Sequence, residues 1–148
     1  MSRPIANVSL LIRRPVSDVF NAFVDPSLIT LFWLQKTSGA LAEGATLEWE
    51  FLIPGAVETV TVQDFKVDKR IAFTWSDGIE VVMTFAAHSG TTATRLAIEA
   101  SGFKPDDLEA VVGATEGFAI VLCDLKTLLE TGRSANLVKD KAELIRGA

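Results

Sequence analysis

Positions 105–132 read PDDLEAVVGATEGFAIVLCDLKTLLETG. Pro105 suits the first position of a helix, where the N–H that proline lacks would be unpaired anyway. Asp106 and Asp107 follow at the end of the helix dipole that favours negative charge. Gly132 is a natural stop, because a helix closes cheaply on a left-handed residue without a Cβ. Between these signals Leu108, Val111, Val112, Thr115, Phe118, Ala119, Leu122, Leu125 and Leu129 recur as one apolar stripe. The pattern predicts a single long helix over 105–131, and its stripe needs a partner.

The segments upstream supply one. Leu47, Trp49, Phe51 and Ile53 alternate with Glu48 and Glu50, the pattern of a half-buried strand. Pro54-Gly55 turns the chain into a second strand over 57–67. There the alternation slips, since Val60 and Val62 share one parity and Phe65 and Val67 the other, so a bulge is expected near Gln63-Asp64. If it lies N-terminal to Gln63, that side chain turns inward with Phe65. Ile71, Phe73 and Trp75 share a face, as do Ile79, Val81, Met83 and Phe85. A three-residue loop, Ser76-Asp77-Gly78, sets Trp75 opposite Ile79 and keeps every apolar side chain on one face, whereas a two-residue loop would set Trp75 opposite Glu80. A Ser89-Gly90 turn then sets Met83 opposite Leu96 and Val81 opposite Ile98, with Glu80, Arg95 and Glu99 together on the outer face.

Farther out, residues 5–13 read as a first strand. Pro15, Asp18 and the spacing of Val16, Val19, Phe20 and Phe23 give a short helix, and Asp25-Pro26 starts a second toward Phe32-Trp33. Residues 34–44, with Ser38-Gly39 and Gly44, read as a loop. The polar stretch 133–148 carries a final short helix through Leu144-Ile145. One strand, two short helices, about five consecutive antiparallel strands and a long helix make an α+β domain whose sheet curls around that helix. The range 1–148 reads as a single domain.

Bulk properties narrow the function. With 148 residues the chain can bury roughly 70% of its unfolded surface, so it needs no disulfide or metal staple. A net charge of −5 argues against nucleic acid and against anionic membranes as partners. The lone Cys123 excludes an internal disulfide framework and a Cys-based zinc site, and no cofactor or metal is expected. Met1-Ser2-Arg3-Pro4 runs into an amphipathic strand with no long apolar stretch, so neither signal peptide nor membrane insertion is expected and the cytoplasm is the default.

Several segments taken in order carry a family likeness: Arg14-Pro15-Val16 through Phe23, Val24-Asp25-Pro26-Ser27-Leu28 with Phe32-Trp33, Glu43-Gly44, Val67 through Trp75, Gly90 through Leu96, Ser101-Gly102-Phe103, and Gly117-Phe118 with Leu125-Lys126 and Leu128-Leu129-Glu130. Over nearly its whole length the chain resembles the branch of the START-like (SRPBCC) superfamily named after the activator of the heat-shock-protein ATPase. It departs in lacking Gly-Pro after Trp33 and in having Phe118 where many members have Trp. The resemblance implies a helix-grip fold, with a sheet of six to seven strands around the C-terminal helix and an internal cavity for an apolar ligand. The superfamily spans carriers, receptors, cyclases, hydrolases and co-chaperones, so function has to be argued from the site.

The candidate sites are few. His88 flanks a turn with outward parity and no carboxylate partner, so it reads as an exposed histidine rather than a catalytic one. Cys123 has no base or cation beside it to form a thiolate and reads as structural. Glu48, Glu50, Glu80 and Glu99 read as the wet face of a sheet. Gly113 and Gly117 fall on the outer side of the long helix, where close packing, a bend or simple tolerance would each account for them. The aromatic set is richer. Trp33, Trp49, Phe51, Phe73, Trp75, Met83, Phe85, Phe118 and Leu122 face the space between sheet and helix, with Gln63 as a polar companion. They form either a filled core or a ligand cavity, with Trp33 near its mouth and Trp49 and Trp75 deeper. Three functions stay open: binding of a small hydrophobic or aromatic ligand, a chaperone-cofactor-like interaction module tied to stress response, and a hydrolase or cyclase using the same cavity. The partners expected are a small apolar molecule and a chaperone or other protein, with the chain a monomer or homodimer.

Overall fold

The computed structural model describes residues 3–146; Met1, Ser2, Gly147 and Ala148 lie outside them. Strand β1 (Ala6–Ile12) leads into helices α1 (Val16–Val24) and α2 (Pro26–Phe32). Six strands follow: β2 (Leu34–Thr37), β3 (Thr46–Phe51), β4 (Val57–Lys66), β5 (Arg70–Thr74), β6 (Glu80–Ala87) and β7 (Thr94–Ser101). Helices α3 (Leu108–Thr131) and α4 (Leu137–Arg146) close the chain. The sheet order is β1-β7-β6-β5-β4-β3-β2, antiparallel throughout. Helices α1 and α2 carry the chain from one edge to the other, where Asp25 caps α2 by accepting from the Ser27 N–H at 2.9 Å. This is the helix-grip arrangement, with seven strands.

The β5–β6 hairpin has the expected register. Trp75 N donates to Ile79 O at 2.9 Å, Phe73 pairs with Val81, and Gly78 takes φ 89°, which a residue with a Cβ rarely adopts. The bulge in β4 is also present, but its placement corrects the reading of Gln63. Val62 pairs with Phe73 and Asp64 with Ala72, so Gln63 is the extra residue and stands in solvent. Putting the odd residue outside is what lets both Val62 and Phe65 face inward.

Three other expectations need correction. Residues 34–37 form edge strand β2, pairing Leu34 with Phe51 and Thr37 with Trp49. With one apolar residue in four, that strand carries no alternation to read. The β6–β7 register is shifted by two, so that Met83 faces Ile98, Val81 faces Ala100 and Phe85 faces Leu96. The cause is a longer loop: Thr91 Oγ1 donates to His88 O at 2.9 Å and accepts from Ala93 N at 3.1 Å, and His88 N reaches Ala93 O at 2.8 Å. A shift of two preserves parity, so the inward faces survive, but Glu80 now faces Ser101 and Arg95 faces Ala86. Helix α3 starts at Leu108 because Asp107 caps it, accepting from Ala110 N at 3.0 Å, which leaves Pro105 outside. Its buried stripe is also rotated. Val121, Leu122 and Leu125 are buried and Val111, Ala114 and Phe118 lean on the core, while Leu108 and Val112 stand in water.

The expected terminal helix is α4. Gly132 ends α3 in the left-handed conformation, and the buried Asp124 carboxylate accepts from Ser134 Oγ at 2.8 and 2.9 Å and from Ala135 N at 2.9 Å. That clamp folds the chain back so that α4 packs on α3 and α2. At the opposite flank, side chains of α3 dock on β1 and the residues just after it. Lys126 Nζ donates to Leu11 O at 2.7 Å, and Arg13 N to Glu130 Oε2 at 2.8 Å. Lys126 and Glu130 are themselves paired at 2.6 Å.

Two predictions follow from these contacts. A Cβ on Gly102 would stand 3.0 Å from Gly78 O at φ +98°, so Gly102→Ala should cost about 1–3 kcal/mol of unfolding free energy in urea. A Cβ on Gly113 meets nothing within 4 Å, so Gly113→Ala should instead stabilise by up to about 1 kcal/mol. The second prediction concerns pH. The Arg13 N–H and then the Lys126 ammonium hold the Glu130 carboxyl below its ordinary value. A depressed folded value adds stability above the ordinary glutamate value of about 4.3 and loses it as pH falls through the folded one. The difference in unfolding free energy between wild type and Glu130→Gln should therefore be largest at neutral pH and shrink on acidification.

Candidate functional site

Edge-to-face aromatic contacts join the interior into one network. Ring centroids lie 5.1 Å apart for Phe20–Phe85, 6.0 Å for Phe23–Phe85 and 6.0 Å for Phe23–Trp33. The chain continues through Trp33–Trp49 at 5.1 Å, Trp49–Phe73 at 5.3 Å and Phe73–Trp75 at 5.0 Å. Trp49, Phe73, Met83, Phe85 and Leu122 are buried in this network, so the inner part of the space between sheet and helix is a filled core.

At one end it is not filled. A cleft of about 390 Å³ remains between the β3–β4 hairpin, α3 and α4. Trp33, Phe51 and Trp75 form its sheet-side wall, Phe118 and Val121 the α3 wall, and Val138, Ala142 and Ile145 the α4 wall. Four of the ten expected site residues thus meet here: Trp33, Phe51, Trp75 and Phe118. Five lie in the core behind it, and Gln63 is outside. The expected depth is corrected for two tryptophans, since Trp33 is 5% exposed while Trp75 is half-buried. Trp75 is the last residue before the 76–78 turn, so its ring stands at the end of the sheet.

Sequence reasoning missed the α4 wall. Its signal was present, since Val138, Lys141, Ala142 and Ile145 have the i, i+3, i+4, i+7 spacing of an amphipathic helix. Among the described residues Lys141 is the one charged side chain lining the cleft, and its Nζ lies 2.8 Å from Glu116 Oε1. Of the remaining candidates Gly117 lines the cleft, and the others lie elsewhere. His88 is exposed beside Arg95 on the outer side of the sheet, and Cys123 is exposed in a groove between α3 and α4. Glu48, Glu50, Glu80 and Glu99 do not line the cleft. Gly113 and Gly117 face open space, which rules out close backbone packing as their reason. Among the described residues no three His, Cys, Asp or Glu side chains cluster to hold a metal ion, and no helix is long and apolar enough to cross a membrane.

Residues 13–130 match the family described as activator of Hsp90 ATPase homolog 1-like protein. The chain belongs to that family. Solved structures share the fold. The protein SSP2350 from Staphylococcus saprophyticus is similar with a TM-score of 0.79 and 25% identity, over 88% of this chain and 95% of that one. Protein MLL2253 from Mesorhizobium loti is similar with a TM-score of 0.75 and 26% identity, over 86% and 97%. The Aha1 dimer from Colwellia psychrerythraea, at 17% identity, shares the fold with a TM-score of 0.78 over 88% and 99%. No curated protein matches the chain in sequence. The family match to activator of Hsp90 ATPase homolog 1-like proteins ends at residue 130, before α4 begins, so the third wall of the cleft lies beyond the matched residues.

The two kinds of tryptophan should separate on mutation. Trp49→Ala removes a fully buried ring and should cost about 3–5 kcal/mol in denaturant unfolding. Trp75→Ala, at the half-buried rim, should cost distinctly less.

Proposed function

We propose that this chain binds a small hydrophobic or aromatic ligand in the cleft walled by Trp33, Phe51, Trp75 and Phe118. The observation that carries the reading is a contrast: the core is filled, yet rings from the end of α2, from β3, from the residue after β5 and from α3 converge on unfilled space. Large flat side chains anchored in their own edge-to-face contacts cannot turn to close it without losing those contacts. An apolar ligand seated there leaves water, contributing about 25 cal/mol per Å² buried. It needs no conformational change in the sheet.

A second reading, a chaperone-cofactor-like interaction module, is favoured by a different feature. Leu108 and Val112 are exposed one turn apart on α3, an apolar spot on the outer surface. Hydrolysis or cyclisation would require a group able to move a proton at the ligand, and among the described residues Lys141 is the sole ionisable side chain on the cleft wall.

The test is a titration with fatty-acid and flat aromatic probes, followed by tryptophan emission and by calorimetry. Probes should bind and perturb emission from Trp33 and Trp75. Phe118→Trp adds bulk to the α3 wall and should weaken binding while leaving the fold intact. Calorimetry is the readout for that variant, since it adds a fluorophore. Absence of binding by every probe would put the interaction module first.

A further inference from the structure

We infer that the ligand of this cleft is a carboxylic acid with an aliphatic or aromatic body, and that Lys141 is the residue that selects its charged end. The inference rests on the ligand-binding reading above and goes further by assigning the headgroup. Lys141 lines both this cleft and the neighbouring groove between α3 and α4, its side chain is 39% exposed, and its ammonium pairs with Glu116 at 2.8 Å. Every other lining side chain is apolar or, for the two tryptophans, carries a single indole N–H. Among the described residues, a ligand whose body fills the space between Trp33, Phe51, Trp75 and Phe118 thus emerges beside the Lys141–Glu116 pair, of which Lys141 alone lines the cleft. Gly117 also lines the cleft with no side chain of its own, so the rim between Phe118 and the Lys141–Glu116 pair stays open.

Charge chemistry then decides among headgroups. A cationic end would face the Lys141 ammonium at short range in partly desolvated surroundings, an unfavourable like-charge contact. A neutral end would leave Lys141 paired with Glu116 and gain nothing from it. A carboxylate can join or replace Glu116, whose side chain is 56% exposed. An ion pair that exposed is weak, so its rearrangement costs little. One lysine compensates one negative charge, and a chain of net charge −5 disfavours a dianion, which selects a carboxylate over a phosphate monoester. Lys141 lies outside the segment matched by the family, so this selectivity would belong to the C-terminal segment of this chain.

The experiment compares decanoate, decanol and decyltrimethylammonium on the full chain at pH 7, by calorimetry and tryptophan emission. The variants are Lys141→Met, which keeps the apolar stem, and Glu116→Gln, which frees the ammonium. Wild type should bind decanoate best and the cation worst. Lys141→Met should weaken decanoate about fivefold, the scale of one partly exposed ion pair, and leave decanol unchanged. Glu116→Gln should tighten decanoate and leave decanol unchanged. If decanol binds but Lys141→Met shifts decanoate and decanol alike, the headgroup assignment is overturned while the cleft stands. If none of the three ligands binds the wild type, the cleft reading and this inference fall together.

Discussion

The inner face of the seven-stranded sheet is predominantly apolar, and that face has to leave water. Helix α3 alone is too narrow for a seven-stranded curved sheet. The remainder is covered by rings meeting edge to face, from Phe65 on Phe20 through Phe85, Phe23, Trp33, Trp49 and Phe73 to Trp75 and Phe51. Each such pair adds about 0.5–1.5 kcal/mol beyond the area it buries, and each fixes the tilt of its neighbours. A chain of rigid plates cannot taper smoothly to the end of a curved surface. The unfilled space beside Trp33, Phe51 and Trp75 is where the plates run out, so cleft and core have one origin.

How far the sequence could be read follows the same physics. Period-two alternation is a local signal, and it identified the inward faces of β3, β5, β6 and β7 correctly. Register depends on loop chemistry. Gly78 announced its three-residue turn, but the hydrogen bonds that Thr91 makes on both sides of its loop were not visible in an alternation pattern, and the β6–β7 pairing moved by two. Gln63 shows the limit within one strand, since a parity slip reveals that a residue is extra without saying which one. For the site, the aromatic residues were named from their faces. Which of them would be filled in and which left at an open end depends on where the strands stop, and Trp75 sits on the last residue before a turn. The α4 wall was legible in the spacing of Val138, Lys141, Ala142 and Ile145 but had no visible partner in the sequence.

That wall alters how family membership bears on function. The matched residues build strands β2 to β7, the aromatic network and nearly all of α3, a scaffold that can serve several purposes. The residues that give the cleft its third side and, among the described residues, its one charge come from the stretch after Gly132. They are held there by a small polar device, the buried Asp124 carboxylate that gathers Ser134 and Ala135. The cleft's third wall can therefore change in sequence without disturbing any strand.

Strand β1 is the exposed border of the sheet next to β7, with a row of backbone groups pointing outward that an extended peptide would match. Borders of this kind recruit strands from other molecules and seed cross-β stacking. Here Lys126 occupies the Leu11 carbonyl and Glu130 occupies the Arg13 N–H just past the strand, with the two side chains locked to each other. An incoming strand would have to displace a charged pair before forming its first rungs. The contacts that seat α3 on the sheet therefore also act as a stopper against polymerisation, and losing the charge on Glu130 would loosen that stopper at the end of the border where β1 leaves the sheet.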